Sequence, residues 1–453
     1  MSSFNRMGRW RRTFRRHRRR FVLAVTAVAV CLIATVVVTL RAGSAPEAWH
    51  DPWDWADPAG TRPCELNKTR ESCLAIPVGG RQIRYALLKA PAPTADTVLI
   101  DLGGPGVSVL SGSHGLGQFH SAHPDLRRFN LLFVEEPWVV QELPKGCDTA
   151  LSGFYRQLRA AGDITGSART MAAACQISQP PGQTSPGRVA HRPWGFDDNL
   201  YAGAVWSITR RHALALQGFI GHSWGSIRLS YLRSGAPTAS SGMAPPSWPD
   251  LSWTVLIRPM PVNVKAPELI DERAKLTPAP VGRFTDSTVD TRSLPVTRFD
   301  QLSAIVALGY VDDAYLAQHA GPIRRGTEPA EIAPLSDGLW HRFGVDSISP
   351  AMLAQWQETC AVLGPATTPG VIEVVGDLLA AAFAPCQADL DSARATRLAA
   401  SRSCVVVSNA DTVIPRVLGP PSSTGRSEVV ESKVAQHGSL DGLDQCLRAV
   451  AAR

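Results

Sequence analysis

Residues 216–233 read LQGFIGHSWGSIRLSYLR, and three short signals meet there. Leu216–Ile220 is an apolar run of strand length, Ser226–Arg233 has a helical pattern, and between them stands Gly221-His222-Ser223-Trp224-Gly225, a G-x-S-x-G. A sharp strand-to-helix turn lifts the serine hydroxyl above the sheet, and small flanking residues admit the backbone crowding that the turn creates. The amino end of the following helix also favours the negative charge that develops when the hydroxyl attacks a carbonyl. As a bare pattern G-x-S-x-G arises easily by chance; the strand before it and the helix after it give it meaning.

Outward from the motif the chain keeps the same rhythm. Thr97–Leu102, Asn130–Val134, Trp253–Ile257 and Cys404–Ser408 are further apolar runs of strand length, and near-continuous apolar strands separated by helical stretches indicate a parallel sheet covered on both faces. Residues 262–395 break that alternation and read as mainly helical, with stretches at Phe299–Ala320 and Ala351–Val362, so they are assigned to an inserted lid over the carboxyl edge of the sheet. Residues 64–261 and 396–453 are then the two parts of the core. Residues 176–191 and 234–250 are loop-like.

A serine hydroxyl needs a base, and the base needs an orienting carboxylate. Both candidates come late in the chain. Asp411 follows the run Cys404–Ser408 in Asn409-Ala410-Asp411-Thr412-Val413-Ile414-Pro415, and His437 follows in Gln436-His437-Gly438. The order Ser, acid, His belongs to the α/β-hydrolase fold. Asp377 is the reserve acid, His222 should face away from the chemistry on a tight elbow, and His341 falls in the lid. Leu102-Gly103-Gly104-Pro105-Gly106 closes the run Thr97–Leu102; its backbone can turn N–H groups toward a carbonyl oxygen, so Gly104 and Trp224 are the expected oxyanion donors. The same loop lacks the Lys and Ser/Thr of a phosphate loop. No Cys-x-x-Cys or Cys/His cluster is present, so no metal, nucleotide or flavin cofactor is expected.

The amino terminus sets the expected compartment. Eight arginines crowd Arg9–Arg20, directly before the uncharged run Phe21–Leu40, which is long enough to cross about 30 Å of hydrocarbon as a helix. These arginines account for the net charge of +7, the remainder being close to neutral, and point to membrane topology rather than a nucleic-acid partner. Positive residues stay on the cytoplasmic side, so residues 1–20 are expected inside, 21–40 as a transmembrane anchor or signal, 41–63 as a linker, and the rest outside the membrane. The alternative is cleavage near Ala42-Gly43-Ser44; Arg11-Arg12 bears a faint likeness to a twin-arginine signal. Of nine cysteines, Cys31 lies in the apolar run. The other eight fall into neighbouring pairs, proposed as disulfides 64 with 73, 147 with 175, 360 with 386 and 404 with 446.

At GGPG, GHSWG, the Asp-Thr-Val-Ile-Pro run and the late His-Gly followed by Cys446, the chain resembles the proline iminopeptidase and tripeptidyl aminopeptidase family of secreted α/β-hydrolases, over roughly Cys64 to the end. The resemblance implies hydrolysis of a peptide bond near a free amino terminus through an acyl-enzyme, with the lid selecting the substrate, and it implies that Cys147 and Cys446 belong to disulfides. Two departures alter the pattern. Leu102 stands where the family has His or a small residue, and Glu135-Glu136-Pro137-Trp138 replaces its Asp-x-Arg-Gly. A substrate amine would need a buried carboxylate; Glu268, Asp271 and Glu272 are the candidates, against the plainer reading of a solvated charged face. The expected partners are a peptide or small acyl substrate and, through the amino-terminal segment, the membrane. An esterase or lipase with the same triad, and a catalytically silent cell-surface binding protein, are the alternatives.

Overall fold

Eight strands form the central sheet in the order β1-β2-β4-β3-β5-β6-β7-β8. They are β1 (Leu74–Val78), β2 (Arg81–Leu88), β3 (Asp96–Asp101), β4 (Asn130–Val134), β5 (Ala215–His222), β6 (Leu251–Ile257), β7 (Ala400–Ser408) and β8 (Arg426–Ser432). A computed structural model describes residues 74–451 apart from 111–115, 137–142, 161, 163, 178–197, 235–250, 291, 344–346, 387–396, 399, 420–421 and 424. β2 runs antiparallel to both β1 and β4, and every other neighbouring pair is parallel. A mostly parallel sheet in this order, one antiparallel strand near its edge and a Ser-bearing turn after β5, is the α/β-hydrolase fold.

The strand sequences explain the layers. Successive side chains point to opposite faces, so Leu99, Leu132, Phe219 and Leu256 join one apolar core while Val98, Leu131, Ile220 and Val255 join the other. The first face is covered by helices α1 (Cys147–Ala160), α2 (Ile164–Ala174), α3 (Asp198–Arg211) and α4 (Gly225–Ser234). The second is covered by the carboxy-terminal α11 (Leu443–Val450) and the segment around Phe119–Phe129. Both faces being dry, the strands need no polar alternation, which is why they read as continuous apolar runs.

Among the described residues six helices lie between β6 and β7: α5 (Ala266–Leu276), α6 (Arg298–Ala307), α7 (Asp313–Arg325), α8 (Pro329–Leu339), α9 (Pro350–Leu363) and α10 (Val375–Ala381). The stretch Phe299–Ala320, read as one helix, is two. It breaks at Leu308-Gly309-Tyr310, where a side chain on Gly309 would lie 2.6 Å from Thr412 Oγ1, and Asp312 restarts the helix by accepting the Tyr315 N–H at 2.8 Å. The hairpin β1-β2 and the strand β8 are additions to the sequence reading. β8 is a solvent-facing edge strand, largely exposed, and its polar sequence RSEVVES carries no apolar signal.

Disulfides join Cys147 to Cys175, Cys360 to Cys386 and Cys404 to Cys446. The remaining proposed pair, Cys64 with Cys73, lies outside the described residues, as do the arginine-rich segment, Phe21–Leu40 and most of the two loop-like stretches. Among the described residues no helix is long and apolar enough to cross a membrane.

Candidate active site

Strand order brings the candidate residues together before any side chain is considered. β3 and β5 are neighbours, but the chain leaves β3 for β4 on one side and proceeds from β5 to β6 on the other. Ligands of open α/β sheets bind beyond the carboxyl ends of strands at such a switch point. The loop 102–106 leaves the carboxyl end of β3, Ser223 that of β5, Asp411 that of β7 and His437 that of β8.

Ser223 sits at φ +51°, in the left-handed region that non-glycine residues rarely occupy. Its neighbours over-determine that strain. The Ser223 N–H donates to the Ile257 carbonyl at 2.9 Å, the Met260 N–H donates to the Ser223 carbonyl at 3.0 Å, and the Ser226 hydroxyl donates to the Met260 carbonyl at 2.6 Å. Space fixes the closing glycine of the motif as well. A Cβ on Gly225 would lie 2.7 Å from the Asp101 carbonyl oxygen.

The Oγ of Ser223 lies 2.8 Å from His437 Nε2, and His437 Nδ1 lies 2.8 Å from Asp411 Oδ2. His437 and Asp411 are buried, while Ser223 is partly accessible. The other carboxylate oxygen of Asp411 accepts the Val413 and Ile414 N–H groups at 2.8 and 3.1 Å. Burial alone would push this carboxyl up; the His437 ring and the two N–H groups outweigh it and hold Asp411 below the ordinary carboxylate range. A carboxylate facing Nδ1 keeps the ring proton there and leaves Nε2 free to accept one from the serine. Such a line of groups can activate a hydroxyl for attack on a carbonyl carbon. The insertion completes the surroundings: the His437 N–H donates to the Gly309 carbonyl at 2.9 Å, and the Tyr310 ring stands edge-on to the imidazole at 5.7 Å.

The loop after β3 is pressed against the elbow. Gly103 and Gly104 both have φ above +70°, and a Cβ on Gly103 would lie 2.2 Å from the His222 carbonyl oxygen and 3.0 Å from Trp224 N. The Gly103 N–H donates to Asp101 at 2.9 Å. The backbone N–H groups of Gly104 and Trp224 donate to no protein acceptor among the described residues, so both are free to receive a developing oxyanion.

Other sequence candidates fall elsewhere. Asp377 accepts the Glu373 and Val374 N–H groups at 3.0 Å each, at the start of α10, and so serves as a helix cap rather than a reserve acid. His341 is buried outside the triad, where burial pulls its pKa to about 4. On α5, Glu268 and Asp271 are exposed, and Asp271 and Glu272 pair with Lys275 at 3.1 and 2.7 Å. They form a solvated charged face, not the buried carboxylate that recognition of an ammonium would require. Among the described residues no group of His, Cys, Asp and Glu is arranged to hold a metal ion.

One supporting residue, Arg258, has no counterpart in the sequence expectations, and another, His222, is placed differently from them. Arg258, directly after β6, is buried at φ +47°. Its guanidinium donates to the Val434 carbonyl at 2.9 Å, the Ala435 carbonyl at 3.3 Å, the Ser432 hydroxyl at 3.1 Å and the Gln436 carbonyl, and so holds the whole approach to His437. The signal was an arginine closing an otherwise apolar strand. His222 does not simply face away: Nδ1 lies 3.0 Å from the Leu102 carbonyl and Nε2 lies 2.7 Å from the His437 carbonyl, so the neutral ring donates to one of them and packs against the other, between the loops that carry Gly104 and the imidazole.

No family model and no curated protein matches the sequence. Solved structures align to it loosely. A hydrolase from Pseudomonas aeruginosa PA01 has a TM-score of 0.38 at 14% identity, covering 85% of this chain and 100% of that one. An enol-lactonase from Burkholderia xenovorans LB400 has 0.36 at 12%, covering 83% and 98%. A proline iminopeptidase-related protein from Thermus thermophilus has 0.35 at 12%, covering 84% and 99%. At these scores the case for the fold stays with the strand order and the elbow.

Proposed function

We propose that this chain is a serine hydrolase in which Ser223 is the nucleophile, His437 the general base and Asp411 the group that orients His437. One observation carries the reading: three residues far apart in sequence meet in a hydrogen-bonded line, Ser223 to His437 to Asp411, with both links at 2.8 Å. His437 takes the Ser223 proton as the oxygen attacks the substrate carbonyl carbon, and the Gly104 and Trp224 N–H groups receive the oxyanion. The proton then passes to the leaving group as the acyl-enzyme forms, and water repeats the sequence to release the acid.

The substrate class we propose first is a peptide with a free amino terminus, as the resemblance to the proline iminopeptidase and tripeptidyl aminopeptidase family implies. The position of Glu268, Asp271 and Glu272 on a solvated face favours a second reading, an esterase acting on small acyl substrates. We further propose that the catalytic body works outside the membrane, held or exported by Phe21–Leu40; disulfides, which persist in oxidising compartments, support this.

The purified full-length protein, with Ser223→Ala beside it, is to be treated with a fluorophosphonate probe and assayed on aminoacyl amides, tripeptidyl amides and short acyl esters. Labelling that is lost in Ser223→Ala is expected. Absence of labelling in folded wild-type protein would overturn the enzyme reading in favour of a silent binding protein. Ester turnover without amide turnover would overturn the peptidase reading alone.

A further inference from the structure

Glu135-Glu136, where the chain departs from the family it resembles, packs directly against the loop that carries Gly104. One Glu136 carboxylate oxygen accepts the Gly106 N–H at 2.8 Å, and the other accepts from the Arg228 guanidinium. Glu135 accepts the Val109 N–H at 3.1 Å and the Ser108 hydroxyl, and pairs with Arg84 at 3.1 Å. Arg228 lies on α4, five residues after the nucleophile, and also donates to Asp101 at 2.9 Å and Glu358 at 3.3 Å. Asp101 in turn accepts the Gly103 N–H and the Tyr201 hydroxyl at 2.9 and 2.8 Å. Glu135, Glu136, Arg228, Asp101 and Glu358 are all buried.

Gly104 is thus flanked by two tethered amides, Gly103 through Asp101 and Gly106 through Glu136, and both tethers end on the same guanidinium of the nucleophile helix. We propose that Glu136 is a positioning residue that, through Arg228, fixes the turn 103–106 against the elbow so that the Gly104 N–H aims at the substrate oxyanion. This inference rests on the serine hydrolase reading above. It also accounts for the departure from Asp-x-Arg-Gly. A cation that braces the loop comes from α4, and the carboxylates of Glu135 and Glu136, directly after β4, stand beside it and Arg84 as counter-charges.

Glutamine separates the role from mere packing. Glu136→Gln keeps the shape but has one acceptor oxygen where the carboxylate had two, so the bond to either Gly106 or Arg228 is lost. Sulfur accepts hydrogen bonds poorly, so a thionoester draws less from an oxyanion hole than the matching oxygen ester does. We expect Glu136→Gln to lower kcat on the oxygen ester by about tenfold to a hundredfold with little change in KM, and to leave the thionoester rate within about threefold, so that the preference for oxygen collapses. Arg228→Lys, which retains the charge but lacks the planar two-pronged fork that spans these carboxylates, is the second variant and is expected to shift the ratio the same way. Equal losses on both esters in a folded variant, or no loss on either, would overturn the positioning role while leaving the triad intact. Failure of wild-type protein to react with the fluorophosphonate would overturn the underlying reading instead.

Discussion

Acid titration of stability isolates His222. Its ring is buried, and burial first, then the neighbouring His437 and Arg258, hold its pKa down to about 4 from an ordinary 6.5, although the Leu102 and His437 carbonyls pull the other way. As the pH falls, the unfolded chain takes up this proton well before the folded one does. Between those two values the unfolded state binds more protons, so stability rises with pH and is lost as the pH drops. At about 1.4 kcal/mol per pKa unit, the part lost between about pH 7 and about pH 4.5 is about 2 kcal/mol. His341, held low by burial in the same way, adds loss in the same window. Glu135, Glu136 and Glu358, raised by burial, act in the opposite direction. These contributions are common to wild type and His222→Gln and cancel in the comparison. Urea unfolding of both proteins at the two pH values should show the wild type losing about 2 kcal/mol more than the variant. Equal losses would refute the environment assigned to His222.

Three further outcomes follow from the site. Asp411→Asn should leave the fold unchanged and lower kcat by about 10⁴-fold, the effect of the same change in a Ser-His-Asp protease; steady-state ester kinetics check it, and a loss under tenfold would argue against the assigned role. Arg258→Met should lower kcat by about tenfold to a hundredfold with KM nearly unchanged, because the approach to His437 loses its anchor and small displacements of a base are costly. Replacing Cys404 and Cys446 together by Ala should lower unfolding free energy by about 2–4 kcal/mol in denaturant titration.

Much of the candidate site was legible because each of its segments is a local motif, although the segments lie far apart in the chain. The elbow, the glycine loop and the Asp411 and His437 segments each follow a strand, and chain order supplies their roles. The buried strands were legible for a different reason: two dry faces remove the need for polar residues, so NLLFV and WTVLI announce themselves. β8 did not, since an exposed edge strand gains little from apolar side chains. The supporting network was also hidden. Glu136, Arg228 and Arg258 are charged residues that a sequence reading places at the surface, and only tertiary contact shows each charge matched by several partners. Glu268, Asp271 and Glu272 failed in the reverse sense, because an acidic stretch at a helix start satisfies the helix and nearby Lys275 without needing a ligand.

The bond between Cys404 and Cys446 encloses more than two ends of chain. Asp411 and His437 both lie inside the ring it closes, between cysteines 42 positions apart, whereas Ser223 lies outside. The proposed acid and base therefore belong to one covalently bounded stretch of chain, and the proposed nucleophile lies outside it. Once that ring is oxidised, cleavage of the backbone between 411 and 437 would leave the two pieces tethered. A nicked protein could keep its proton-handling pair in register with the serine.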